Sequence, residues 1–210
     1  MKTACYIPAL EGESALLEGW VADAARRFPD VTPVLLPPVD WNDDLTPWPA
    51  APIFRKGKSF GGKATSYLQQ LEQRIIPLLE ADLGFVPDQR WFIGISLAGL
   101  FGVWASARTG LFQRIAAVSG SFWYPGFPAW FAGQTIRADA FYISLGNREA
   151  QSKNPHLQSI EEDTAAVVDS LRIRDIPLTF EWTEGTHFGP ILPRLDKALA
   201  ALRDAPAGGL

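Results

Sequence analysis

The sequence predicts an α/β protein: a mostly parallel central sheet with helices on both faces. Short apolar runs are bounded by proline, glycine or aspartate, and longer segments between them carry apolar residues at helical spacing. The two kinds alternate along the chain, as the crossover units of a parallel sheet require. With 210 residues, 47% hydrophobic and 20% charged, the chain is long enough for one substantial core. A single domain over residues 1–210 is expected.

The elements follow in order. TACYIPA (3–9) reads as the first strand. ESALLEGWVADAARRF (13–28) repeats Leu16, Leu17, Trp20, Val21 and Ala24 at helical spacing, and TPVLLPP (32–38) reads as a strand. From Pro37 to Lys63 the chain is irregular and rich in Pro, Gly and Trp; a loop this long is expected to be a lid or binding wall.

Helical spacing resumes in SYLQQLEQRIIPLLEADLG (66–84) through Leu68, Leu71, Ile75, Ile76 and Leu79, with Gly84 as its stop. Pro77 should bend that helix or sit in a final turn. RWFIGI, RIAAVSG, AFYISLG and LTFEWTE are the remaining strands. The helices between and after them are LAGLFGVWASARTG, HLQSIEEDTAAVVDSLRIRD and PILPRLDKALAALRD, and APAGGL is expected to fray.

Composition excludes several function classes. The net charge is −4 and the 19 Lys and Arg are scattered, so no basic face suggests nucleic acid or an anionic membrane. A small-molecule partner fits better. No hydrophobic segment approaches membrane-spanning length and Pro8 breaks the early apolar run, so a soluble, cytoplasmic protein is expected. Cys5 is the one cysteine; it allows no internal disulfide and reads as a small buried hydrophobe. Two histidines and one cysteine give no zinc cluster, and Phe60-Gly61-Gly62-Lys63 is too short for a phosphate loop. No metal and no cofactor are expected.

The chemistry is concentrated at Gly94-Ile95-Ser96-Leu97-Ala98-Gly99. A serine hydroxyl is a poor nucleophile unless it is held beside a base, with donors aimed at the oxyanion that its attack creates. A sharp strand-to-helix turn exposes the side chain and places the next N–H at a helix N-terminus. Only small residues fit two before and two after the serine; here these are Gly94 and Ala98, where the usual pattern is G-x-S-x-G. Ser96 is therefore the candidate nucleophile of an α/β-hydrolase fold.

The candidate base is His187, between the last strand and the last helix; His156 reads as a solvent-facing residue beside a helix start. The order serine, acid, histidine places the acid after AFYISLG. Glu149, three residues past Gly146, is preferred for fixing the histidine's far nitrogen. Glu161, Glu162 and Asp163 compete, and otherwise read as a solvated first turn of a helix. Trp41 and Trp48 in the long loop, with Trp123 and Trp130 after AAVSGS, are candidates for pocket walls. Arg55, Lys56 and Lys58 are candidates for meeting an anionic substrate.

Several of these segments together resemble the putative-esterase family of α/β hydrolases, which includes siderophore esterases and esterase D. Glu11-Gly12 stands where the family commonly has Asp-Gly. DLTPWP, the Phe-Gly-Gly of SFGGK and the SGSFWYP stretch are similar to the siderophore-esterase branch, and FYISLGNREA and EGTHF resemble its acid and histidine segments. The resemblance runs from about Tyr6. It implies an ester hydrolase with Ser96 as nucleophile, His187 as base, and the backbone N–H groups of Leu97 and Glu13 as oxyanion donors. It also implies a reduced N-terminal part, since the antiparallel strands that begin longer members are missing, and it keeps a serine–histidine pair without an acid as an alternative. Acyl transfer, a thioesterase, a peptidase or an inactive binding protein of this fold are the other readings.

Overall fold

Alternation along the strands sorts the interior into two layers, one on each face of a parallel sheet. The computed structural model describes residues 1–9, 14–53 and 56–206, except for the side chain of residue 156. Expectations for Glu11, Gly12, Glu13, Arg55, the side chain of His156 and the tail past Pro206 lie outside the described residues.

Along the chain, β1 (Thr3–Pro8), α1 (Ser14–Arg27) and β2 (Val31–Leu36) come first, then a short α2 (Trp41–Asp44). An antiparallel ribbon follows, of β3 (Pro49–Ala50) and β4 (Phe60–Gly61). α3 (Ala64–Gln70) and α4 (Ile76–Leu83) form one helical segment, joined by wider π-type turns over Leu71–Ile75. β5 (Gln89–Ile95), α5 (Leu97–Ser106), β6 (Arg114–Val118), α6 (Phe127–Ala132) and β7 (Ala140–Gly146) succeed them. A 3-10 turn at Glu149–Gln151, α7 (Pro155–Gln158), α8 (Ile160–Arg172), β8 (Leu178–Thr183) and α9 (Ile191–Asp204) complete the order.

The main sheet runs β2-β1-β5-β6-β7-β8, and each neighbouring pair is parallel. Successive side chains of a strand point to opposite faces. Ala4, Tyr6, Phe92, Ile115 and Ile143 therefore pack with α3, α5 and α8, whereas Cys5, Ile7, Ile93, Ala116 and Tyr142 pack with α1 and α9. Helices cover both faces, as predicted. Cys5 is buried, and burial pushes its thiol well above the ordinary value.

Pro77 lies near the start of α4, not in a final turn, directly after the π-type turns over Leu71–Ile75. A proline lacks the N–H for the ladder and crowds the carbonyl four residues back. In the widened turns before it the Ile76 N–H reaches Leu71 O, and the helix runs on to a left-handed stop at Gly84 (φ 71°).

The stretch from Pro37 to Lys63 is a built wall. Asp40 caps α2 by accepting the Asp43 N–H at 3.0 Å. Thr46 Oγ1 donates to Asn42 O at 2.7 Å and accepts the Gly62 N–H at 3.0 Å. The Tyr124 hydroxyl donates to Trp48 O at 2.5 Å and Trp48 Nε1 donates to Pro125 O at 3.0 Å, tying this wall to the segment after β6. Among the described residues, no helix is long and apolar enough to cross a membrane.

Candidate active site

Four neighbouring strands, β5 to β8, end at one edge of the sheet, and the residues just past those ends face one another. This is where open parallel sheets bind ligands. Ser96 follows β5, Ser119 and Ser121 follow β6, Glu149 follows β7 and His187 follows β8.

The turn at Ser96 is as tight as its small residues imply. A Cβ on Gly94 would lie 2.2 Å from Ala98 O, and one on Gly99 would lie 3.1 Å from Gly120 Cα. Ser96 itself has φ 55° and ψ −121°, a region that non-glycine residues occupy only at a cost of about 1–3 kcal/mol. Its backbone is held on both sides, with the N–H donating to Val118 O at 3.0 Å and the carbonyl accepting the N–H of Leu100 and of Ser121. α5 starts at Leu97, so the Leu97 N–H belongs to the first turn, whose donors have no partner within the helix.

Ser96 Oγ lies 3.0 Å from His187 Nε2, and His187 Nδ1 lies 2.9 Å from Glu149 Oε2. Glu149 is 6% exposed. Its Oε1 accepts the Gly146 N–H at 2.7 Å and the Ser119 hydroxyl at 2.6 Å. Burial pushes this carboxyl up, but the bonds from His187, Ser119 and Gly146 outweigh it and hold the group below the ordinary glutamate value. An ionised carboxylate only accepts, so Nδ1 carries a hydrogen. Nε2 is then free to accept the Ser96 hydroxyl hydrogen, as a general base must.

A cavity of about 250 Å³ opens beside Ser96. Trp41, Phe60, Trp123, Leu157, Ile160 and Phe188 supply most of its apolar lining, and Ser121 and Leu97 border it next to the serine. Phe188 is 91% exposed and stands at the rim. Lys58 also reaches the cavity, but its ammonium is taken up by Asp40 at 2.6 Å and Asp43 at 3.4 Å. Among the described residues, no group of three histidine, cysteine or carboxylate side chains could hold a metal ion.

The structure thus brings Ser96, His187 and Glu149 together and places Trp41 and Trp123 at the cavity. Trp48 and Trp130 are not among its lining residues; they pack on each other with ring centroids 5.7 Å apart. Glu161 and Glu162 are exposed in the first turn of α8, and Asp163 accepts the Ser159 hydroxyl at 2.7 Å instead of meeting His187.

Sequence reasoning missed Ser119, Ser121 and Arg194. The serines sit in a small-residue stretch at a strand end on the same edge, the kind of signal that singled out Ser96. Arg194 lies on the buried stripe of α9 with Ala198 and Leu202, and a charge in an apolar stripe is a signal too.

YbbA of Bacillus subtilis (strain 168), an uncharacterized protein, is 29% identical over 157 residues, which cover 70% of this chain and 61% of YbbA. The match therefore spans less than two thirds of that relative. An IroE-like serine hydrolase from Shewanella oneidensis has a similar structure, with a TM-score of 0.78 at 17% identity over 97% of this chain and 71% of its own. Siderophore hydrolase EstA from Aspergillus nidulans is similar at a TM-score of 0.70 and 17% identity, over 96% of this chain and 82% of its own. These likenesses establish the α/β-hydrolase fold. The family pattern itself matches residues 13–171, and the chain belongs to the Putative esterase family.

Proposed function

We propose that the protein is a serine carboxylic-ester hydrolase that acts on small esters through an acyl-enzyme. The observation that carries this reading is the continuous contact from Ser96 Oγ through the His187 ring to Glu149, at 3.0 and 2.9 Å. Ser96 attacks the ester carbonyl while His187 Nε2 takes its proton, and Glu149 stabilises the imidazolium that forms. The Leu97 N–H at the start of α5 meets the developing oxyanion, with Glu13 as second donor on the family resemblance. The imidazolium then protonates the leaving alcohol, and a water activated by the same nitrogen releases the acid.

The apolar wall formed by Trp41, Phe60 and Trp123 favours a substrate with an aromatic or otherwise bulky apolar acyl group. The likeness to a siderophore hydrolase supports siderophore-like esters as a class to screen. Because Lys58 is already paired, shape and apolar contact outweigh charge recognition on that side.

The test is labelling with a fluorophosphonate probe, located by peptide mass spectrometry, on the native protein and on Ser96→Ala and His187→Ala. Modification confined to Ser96 and lost in both variants is expected, followed by turnover of aryl, short-chain and siderophore-type esters. A folded native chain that takes up no probe would sink the mechanism.

A further inference from the structure

Arg194 is buried, at 4% exposure, in an apolar stripe of α9 that packs against the sheet. A buried guanidinium is tolerable only when its donors are engaged. Its Nη1 donates to Ser119 Oγ at 3.1 Å. Its Nη2 donates to the carbonyls of Glu184 and Thr186, each at 3.0 Å, in the turn that carries His187.

Hydrogen counting fixes the direction of this chain. Ser119 has one hydroxyl hydrogen and ionised Glu149 can only accept, so that hydrogen points at Oε1, and Ser119 in turn accepts from Arg194. Nη1 also stands 3.9 Å from the same carboxylate oxygen. Gly189 belongs to the arrangement, because a Cβ there would lie 2.4 Å from Arg194 Nη2. One side chain therefore grips the acid through a serine and the base through the backbone of its turn.

On the serine-hydrolase reading, we propose that Arg194 is a positioning residue that holds Glu149 and His187 in register with each other. The two residues follow different strands; their turns are joined by Arg148 N–H to Gly185 O and by Gly185 N–H to Asn147 Oδ1, each at 3.0 Å, and Arg194 adds the anchor that ties this pair of turns to α9. A misplacement of about 1 Å at such a site slows the reaction about a hundredfold. Lysine is a point charge that reaches one side or the other, whereas the guanidinium fork holds both.

The test uses Arg194→Met, Arg194→Lys, Ser119→Gly and the double variant Arg194→Met with Ser119→Gly. Glycine suits position 119 because the backbone there is left-handed (φ 50°). Two quantities are read on folded protein: the rate constant for fluorophosphonate modification of Ser96, and the far-downfield proton resonance of His187 Nδ1–H. Arg194→Met is expected to label ~10–100-fold more slowly with that resonance moved upfield or broadened, and Arg194→Lys to recover part of both. Because the residues act in one chain, the double variant should be no slower than Arg194→Met within about twofold.

A folded Arg194→Met with native rate and native resonance would overturn the proposal, as would losses that multiply in the double variant. Should Arg194→Met fail to fold, native values in both Arg194→Lys and Ser119→Gly would overturn it equally. A native chain unlabelled at Ser96 defeats the hydrolase reading instead, and the resonance still reports whether Arg194 holds His187 against Glu149.

Discussion

The hydroxyl oxygens of Ser96 and Ser121 lie 3.1 Å apart, and only one of the two can be the donor. Ser96 gives its single hydrogen to His187 Nε2, so Ser121 donates to Ser96 Oγ. That bond aims the nucleophile and faces the charge that builds on it. Replacing Ser121 by alanine removes about 1 kcal/mol of hydrogen bonding, so Ser96 should react with a fluorophosphonate roughly fivefold more slowly. Ser121 itself should stay unlabelled in the native chain. An unchanged or faster rate would show that the contact restrains the resting serine and nothing more.

Glu149→Gln tests the tautomer argument. An amide can present N–H to His187 Nδ1, which would move the ring hydrogen to Nε2 and leave no acceptor for the serine proton. Turnover should fall roughly a thousand- to ten-thousandfold with the fold retained. Circular dichroism beside ester hydrolysis checks both halves.

The same carboxylate makes stability depend on pH. Its folded value lies below the ordinary one, so its contribution is complete above the unfolded value and is lost as pH falls through the folded value. Urea unfolding of the native protein and of Glu149→Gln should differ most at neutral pH. The difference should shrink on acidification through and below the usual carboxylate range; a difference that stays constant would contradict the shift.

Two glycine-to-alanine changes should move stability in opposite directions. At Gly94 the new Cβ would meet the Ala98 backbone at 2.2 Å, and backbone cannot yield cheaply; a loss of about 3 kcal/mol is expected, on the order of 6–12 °C in Tm. Gly19 lies inside α1 with nothing within 4 Å of an added Cβ. Alanine there should add about 0.5–1 kcal/mol. Thermal melts of the two variants give the answer.

Much of this was legible in the sequence because it rests on local signals. Apolar runs marked the six strands, small residues around Ser96 marked the turn, and strand ends pointed to Glu149 and His187. Contacts between distant segments were not legible. Ser119 and Arg194 are 75 residues apart, and no local pattern says that a guanidinium on one helix will meet a serine beyond another strand. Trp48 and Trp130 misled for the same reason: they pack on each other and on Tyr124 and Phe127, a fact of packing between distant segments. Pro77 marked a local conflict in the sequence, but the π-type turns just before it are a backbone response that the residue pattern does not specify.

The strain at Ser96 sets folding against reactivity. Glycine would take φ 55°, ψ −121° far more readily than serine does, so Ser96→Gly should melt at a higher temperature while losing the hydroxyl. Random drift under selection for folding alone would carry this position toward glycine. A lineage that keeps serine here is accepting a less stable protein, so in an evolved or shuffled library, sorting on thermal stability should enrich hydroxyl-free variants at this position, and sorting on probe uptake should remove them.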